Sequence, residues 1–478
     1  MKRFFHHANT AATALSSPLT IIEQNRRLTL LNRTGRYRDA LQLFGDIYLH
    51  SKPDAYTLST VLSAFGNTRR SFLGKQLHSF IVKSGFISSI HVANSLLSFY
   101  GKLSEIESLK LVFEEIRNPD AYSCTTMISS CAKMGDLWLA FKVFDEMPLR
   151  DIAAWNGMVT GCLDNGNIFV ALSLFREICR SGVSFDNYTL SSVLRGSAHE
   201  WMEFGLQLHS VVVRTGFSGA TSVLNSLITM YVESEDIHAA TSVFDEVQEA
   251  MPNEVTYNVM MDGFAKVGRI EEMQMLFKEM VRRGIGPNES SLVIILSLCF
   301  DLQIGNQLHS FAVKMGLDCF ICVCNAAMTM YSVCGSHYAS AKIFNALKEK
   351  PLVSWNAFLS CCARESLENS AAFAFNEMRK EMIEPDEFTF GSLLSCTLIA
   401  ETVEVIQALV MKSGLMVSFP VINSLMSAYF NHGKVAEAYA TFDGAANKNL
   451  ITWNVLITGL INNGKPMEAI KAFAMLLR

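Results

Sequence analysis

The segment "VTYNVMMDGFAKVGRIEEMQMLFKEMVRRGIGPN", residues 255–288, decides the fold. It holds two stretches in which apolar residues recur at three- and four-residue steps, with Gly268 between them. That spacing lines one face of a helix of about three turns with core residues. The segment therefore reads as a helical hairpin.

The hairpin returns. "IAAWNGMVTGCLDNGNIFVALSLFREI" from Ile152, "LVSWNAFLSCCARESLENSAAFAFNEM" from Leu352 and "LITWNVLITGLINNGKPMEAIKAFAML" from Leu450 superimpose on it without gaps. Each copy has an aromatic residue followed by Asn156, Asn258, Asn356 or Asn454, and a Phe nineteen residues later: Phe175, Phe277, Phe375 or Phe473. Gly166, Gly268 and Gly464 separate the halves in three copies, and Ser366 does so in the fourth. Intervals of 102, 98 and 98 residues between these Asn residues leave room for two further hairpin types. One carries "GKQLHSFIVKSG" at 74–85, nearly repeated at 205–216 and 305–316. The other begins "VANSL", "VLNSL", "VCNAA" or "VINSL" and places Asn94, Asn225, Asn325 and Asn423 at the matching position.

A cycle of three hairpins, of about 35, 33 and 32 residues, accounts for the period, with one extra unit at 121–151. Fourteen units follow: 21–54, 55–89, 90–120, 121–151, 152–186, 187–220, 221–253, 254–288, 289–320, 321–351, 352–386, 387–418, 419–449 and an incomplete 450–478. A two-helix unit cannot bury its apolar face alone, so such units stack into a solenoid whose concave side is the natural binding surface.

Composition agrees with one continuous array at 21–478. Hydrophobic residues make up 50% and charged residues 18%, and the 10 prolines are scattered rather than gathered into a linker. No run of 18 apolar residues exists; the greasiest window, "SLVIILSLCF" at 291–300, lies between Glu289 and Asp301, so membrane insertion is not expected. Residues 1–20 contain Lys2 and Arg3, are rich in Ser, Thr and Ala, and lack acids, the pattern of an organelle transit peptide, mitochondrial in the first reading and chloroplast in the alternative. The 12 cysteines follow no disulfide framework and read mostly as small buried apolar residues.

The segment at 255–288 strongly resembles the pentatricopeptide repeat, and the alternation of long, short and standard units resembles the plant PLS subclass of that family. The W-x2-L-G-x2-Y signature of the tetratricopeptide repeat is absent. The resemblance implies a right-handed superhelical α-solenoid of about fourteen helix-turn-helix repeats that reads single-stranded RNA one base per unit. An Asn amide offers a donor and an acceptor to a pyrimidine edge, and the last residue of the unit biases the choice.

Carried over by resemblance, Asn25 with Asp54, Asn94 with Asp120, Asn156 with Asp186, and Asn356 with Asp386 favour U, while Thr125 with Asp151 favours G. Asn225 with Asn253, Asn258 with Asn288, and Asn423 with Asn449 favour C or U. Asn325 with Pro351 departs from the usual pairs and is a weak pyrimidine site, and Asn454 has no partner in its incomplete unit. The long units, with Ser59, Ser191, Val293 and Gly391, receive no base. The implied target is U-?-U-G-U-?-Y-Y-?-Y-U-?-Y-Y, a pyrimidine-rich RNA.

Each Asn has a plainer reading as a helix cap. Val255, Val353 and Ile451, second in their units, read either as base-sandwiching or as core residues. Lys102, Lys133 and Lys266 share one repeat position and read as phosphate contacts or as solvated lysines. The net charge of −5 points to a modest salt dependence of binding.

None of the 11 histidines begins H-x-E, so the zinc deaminase signature is missing; no catalysis and no cofactor are expected, and any deaminase or other RNA-processing factor would act in trans. The cluster Cys319, Cys322, Cys324, Cys334 and His337 reads as buried thiols, and His78, His209 and His309 as packing residues of the long units. The leading expectation is an organellar RNA-binding protein that guides editing, processing or stabilisation by partners. The alternative is a helical-repeat protein-interaction scaffold.

Overall fold

Most hairpins start from a side-chain-capped helix end. Asp386 stands just before the helix Glu387–Ser395, and its carboxylate accepts the Thr389 backbone N–H at 2.9 Å. The Thr389 hydroxyl in turn accepts the Asp386 N–H at 3.2 Å. This reciprocal pair satisfies N–H groups that a helix start otherwise leaves without partners. The same box opens the first helix at Asp54/Thr57, Asp120/Ser123, Asp186/Thr189, Asn253/Thr256 and Asn288/Ser291. Capping thus belongs to the last residue of the preceding hairpin and not to the interior Asn, which corrects the plainer reading of Asn25 and its equivalents.

Between the two helices of a standard hairpin the chain turns through a left-handed residue. Gly268 has φ +73°, and a Cβ there would meet nothing within 4 Å, so glycine serves the backbone rather than a close approach. The second helix, Ile270–Arg282, then returns with Met273, Leu276, Phe277 and Met280 buried on one face.

The computed structural model describes residues 20–198, 201–248, 252–445 and 447–477. The transit-peptide reading lies outside the described residues except at its last position, and Arg478 lies outside them as well. Among the described residues there are 28 α-helices, four short 3-10 turns and no strand. The protein is an all-α solenoid of helical hairpins, divided into two compact halves, Met1–Met251 and Pro252–Arg478. Within each half, the first helix of a hairpin packs on its own second helix and on the first helix of the next hairpin.

The joints between hairpins are repeated in detail. Phe144 meets Trp155 edge-on with ring centroids 4.8 Å apart in the N-terminal half; Phe344–Trp355 and Phe442–Trp453 repeat that contact at 4.8 Å in the C-terminal half. Such aromatic pairs contribute about 0.5–1.5 kcal/mol beyond the area they bury. The motif shared by 74–85, 205–216 and 305–316 is explained by another joint. Its glycine, Gly74, Gly205 or Gly305, leaves the space taken by Phe99, Met230 or Met330 of the following hairpin, and a Cβ there would collide with those side chains. Its histidine ring nitrogen Nδ1 is hydrogen-bonded to a tyrosine hydroxyl of that hairpin: His78 to Tyr100 at 2.7 Å, His209 to Tyr231 at 2.7 Å and His309 to Tyr331 at 3.0 Å. Burial pulls all three imidazoles below their ordinary pKa.

The fourth long hairpin solves the same joint with other residues. Val403 stands where the glycine stands in the others, Ala428 stands where Met330 stands, and both are buried. Gln407 replaces the histidine and accepts a hydrogen bond from the Tyr429 hydroxyl at 2.5 Å.

This exchange of large and small residues predicts a compensating pair. Gly305→Val overpacks the joint and costs about 1–3 kcal/mol, and Met330→Ala alone leaves a cavity worth about 2–5 kcal/mol. In urea denaturation the double variant is expected to be more stable than the sum of the two single losses by about 1 kcal/mol or more; simple additivity would refute the exchange.

Candidate nucleic-acid interface

The interior Asn of one hairpin reaches the cap of the next. Asn25 Nδ2 donates to both carboxylate oxygens of Asp54, at 3.1 and 3.0 Å, while Asn25 Oδ1 accepts the Thr57 hydroxyl at 2.7 Å. Asn94 repeats this with Asp120 at 3.2 Å and Ser123 at 2.6 Å, and Asn156 with Asp186 at 3.3 Å and Thr189 at 2.6 Å. In the C-terminal half, Asn356 meets Asp386 at 3.0 Å and Thr389 at 2.7 Å, and Asn258 meets Asn288 at 3.0 Å and Ser291 at 2.6 Å. Each is a three-residue clasp across a hairpin boundary, and Asn25, Asn94 and Asn258 are themselves buried in it.

Thr125 with Asp151, Asn325 with Pro351 and Asn423 with Asn449 are not joined in this way. The Thr125 hydroxyl donates to the Ala121 carbonyl at 2.7 Å, while Asp151 caps its own helix by accepting the Ala154 N–H at 2.8 Å. Pro351 has no side-chain acceptor, the helix Leu352–Arg364 begins without a side-chain cap, and Asn325 Oδ1 and the Ser354 hydroxyl are both buried without hydrogen-bond partners. Asn423 Oδ1 is likewise buried and unpartnered, although the Thr452 hydroxyl meets the Asn449 cap oxygen at 2.9 Å as its counterparts do in the clasps. Asn454 is exposed. Asn225 and Asn253 fall in different halves.

Beside the clasps of each half stand exposed apolar side chains. Val255, Val353 and Ile451 are 46%, 67% and 60% exposed, which removes the core reading for them. Tyr56, Tyr122, Tyr188 and Phe388 occupy the same second position of their hairpins and are exposed too. Two open clefts show the arrangement: one is lined by Ile22, Asn25, Asp54 and Tyr56, the other by His91, Asn94, Asp120 and Tyr122. The sequence reading missed these aromatics and the Ser/Thr hydroxyls. Their signal was present as D-A-Y-T, D-A-Y-S, D-N-Y-T and D-E-F-T at 54–57, 120–123, 186–189 and 386–389.

Of the lysines, Lys102 donates to the Asn67 side chain at 2.7 Å, Lys266 pairs with Asp262 at 3.1 Å, and Lys133 is exposed. The cysteine cluster departs from its reading as buried thiols: Cys324 is buried, but Cys319 and Cys322 are exposed. Among the described residues no group of His, Cys, Asp and Glu could hold a metal ion.

Burial pushes the carboxyls of Asp54, Asp120 and Asp186 upward, but hydrogen bonds outweigh it. The backbone and hydroxyl of Thr57, Ser123 or Thr189, together with the clasp Asn, hold all three below the ordinary value.

Stacked hairpins with a recurrent polar clasp and an exposed apolar neighbour define a helical-repeat protein. Sequence profiles described as PPR repeat family match residues 150–199 and 252–301, those described as PPR repeat match 122–152, 353–383, 421–447 and 451–478, and one described as pentatricopeptide repeat domain matches 210–267. Together they span more than half of the chain, which belongs to the pentatricopeptide repeat family.

A pentatricopeptide repeat-containing protein of Arabidopsis thaliana is 39% identical over 461 residues, 96% of this chain and 62% of the relative. Two others from that plant are 28% identical: a mitochondrial one matched over 95% of this chain and 54% of its own length, and a chloroplastic one over 91% and 51%. The chain thus spans between half and two thirds of the length of these relatives. A crystal structure of the maize pentatricopeptide repeat protein PPR10 matches with a TM-score of 0.61 at 19% identity, covering 96% of this chain and 74% of that one.

The depressed carboxyls set a pH dependence. The unfolded chain binds more protons than the folded one once acid reaches the ordinary Asp range, so the clasps contribute fully above about pH 4. Their contribution is lost as pH falls through the lower folded values. Urea midpoints should therefore fall between about pH 5 and pH 3, and should fall less in a triple Asp54→Asn, Asp120→Asn, Asp186→Asn variant; equal losses would contradict the assignment.

Proposed function

We propose that the protein is a sequence-selective single-stranded RNA binder of an organelle, with the long, short and standard hairpins of the PLS type, each standard or short hairpin meeting one base. One observation carries this reading: among the described residues the clasp is built the same way at least five times, and each copy keeps unused hydrogen-bonding capacity beside an exposed face. In a clasp the Asn spends its oxygen and one N–H inside the protein, which leaves its second N–H as a donor. A carboxylate partner adds only acceptors, and this combination suits uracil, which offers a carbonyl oxygen next to its N3–H. An Asn partner turns its oxygen to the helix cap and offers an N–H instead, which suits the N3 acceptor of cytosine. The apolar residue at the second position gives the base a surface to lie on, a sequence-tolerant source of affinity.

The protein then selects a transcript segment close to U-?-U-G-U-?-Y-Y-?-?-U-?-?-Y, the tenth and thirteenth nucleotides being left open because Asn325 and Asn423 lack a clasp, and guides editing, processing or stabilisation by partner proteins. It contributes no catalysis of its own. Relatives named as mitochondrial and as chloroplastic support an organelle, and the acid-free start favours the mitochondrion. The scaffold reading also has one observation on its side: the clasps are complete without RNA. A scaffold therefore has a structural reason to keep Asn and Asp in these positions, and their presence alone does not separate the two readings.

RNA binding separates them. A 14-nucleotide RNA of the target pattern should bind in gel shift at least tenfold more tightly than a purine-swapped control, the loss expected when base contacts worth about 1–3 kcal/mol each fail. Asp386→Asn should move the preference at the eleventh nucleotide from U towards C. Equal or absent binding to both RNAs would instead favour the scaffold.

A further inference from the structure

The clasps contain a residue to which no base-reading role has been given so far: the hydroxyl at the third position of the following hairpin. We propose that Thr57, Ser123, Thr189, Ser291 and Thr389 are positioning residues that fix which end of the Asn amide faces the base, and that Asn325 and Asn423, which lack this bond, face bases without discrimination. The inference rests on the RNA-binding reading above and concerns how that reading is made selective.

An Asn amide turned by half a rotation exchanges its donor and its acceptor, so it discriminates between bases only if something holds it one way round. In each clasp the hydroxyl oxygen faces the N–H of the helix cap, which leaves its hydrogen free to point at oxygen. For Asn258 the geometry is explicit: Ser291 Oγ lies 3.2 Å from the Asn288 nitrogen and 2.6 Å from Asn258 Oδ1. Asn258 Nδ2 is directed at Asn288 Oδ1, 3.0 Å away, and that same oxygen accepts the Ser291 backbone N–H at 3.1 Å. Turning the Asn258 amide would set its oxygen against the cap oxygen and leave the hydroxyl only its longer contact to Asn288 Oδ1, at 3.1 Å in place of 2.6 Å. In the Asp-containing clasps the carboxylate adds its own objection to the turned amide, because it can only accept. Dependence on the hydroxyl is therefore greatest at Asn258.

The chain supplies its own contrast. Asn325 and Asn423 occupy the same repeat position, yet their amide oxygens are buried with no partner. At the first, Pro351 provides no side-chain cap, and the Ser354 hydroxyl is left without a partner as well. At the second, the Thr452 hydroxyl keeps the contact to its cap oxygen that the clasps also have, 2.9 Å from Asn449 Oδ1, and what is missing is the bond to Asn423 Oδ1. With nothing on the amide oxygen to favour one orientation, both remain open to these two residues.

The test uses the full chain and a panel of 14-nucleotide RNAs in which one nucleotide at a time is varied through all four bases. The wild type should prefer pyrimidine at the eighth nucleotide, facing Asn258, and U at the eleventh, facing Asn356, with no preference at the tenth and thirteenth. Ser291→Ala should cut the preference at the eighth nucleotide by roughly fivefold, the factor that corresponds to one ordinary hydrogen bond, and leave the eleventh unchanged. Ser291→Thr should keep it. Thr389→Val should weaken the eleventh by a smaller factor. Thermal melts run alongside: if Ser291→Ala lowers the melting temperature but leaves base preference intact, the hydroxyl is purely structural and the inference is overturned. Discrimination at the tenth and thirteenth nucleotides as strong as at the eleventh would overturn it too. Absence of any preference in the wild type is a different result, which sinks the RNA reading and this inference together.

Discussion

A helix that begins against another helix has backbone N–H groups that water cannot serve, and in this protein the answer to that problem organises everything else. The cap is supplied by the last residue of the preceding hairpin, Asp54, Asp120, Asp186, Asn288 or Asp386, and is closed by the Ser or Thr three residues on. Because the capping side chain stands at the boundary between hairpins, it lies within reach of an Asn in the first helix of the preceding hairpin. Hence a local rule of helix initiation becomes a contact about 30 residues long in sequence, repeated at these five boundaries. The joint at Asn325 and Pro351 shows what happens when the cap is missing: the stacking survives on apolar packing, including the Phe344–Trp355 contact, but the polar atoms are stranded.

Much of this was legible in the sequence, and the reasons are physical. A period-3.6 apolar pattern with a glycine at its centre allows few structures, and Gly268 stands at the turn between the two helices Glu254–Lys266 and Ile270–Arg282. The pairing of Asn25 with Asp54 or Asn356 with Asp386 came from a resemblance and not from periodicity, which carries no information about which polar residues meet. What escaped was mostly exposure. Val255 could not be separated from a core residue by spacing, since the second position of a hairpin lies at the edge of the apolar stripe. Cys319 and Cys322 looked like buried thiols because free cysteines usually are; they precede and open a helix, where the chain faces solvent. Thr125 shows the other limit: a residue type can match a pair while its hydroxyl is already committed to its own backbone.

The clasp also shows how a chain with a net charge of −5 presents a polar row without gathering basic residues along it. The Asp carboxylates are surrounded by donors, which spreads their charge over short hydrogen bonds rather than leaving it to repel an anionic ligand in full. Two of the lysines sited to help, Lys102 and Lys266, are themselves engaged with Asn67 and Asp262.

The joint at Val403 and Ala428 bears on how such arrays grow. A long hairpin with a glycine at that site needs a bulky residue in its successor, and one with valine needs a small residue. A hairpin inserted alone therefore meets a neighbour shaped for something else, with either a void or a collision between them. A copied segment fits the array when it carries both sides of its joint, so the joint, not the hairpin, is the unit that packs.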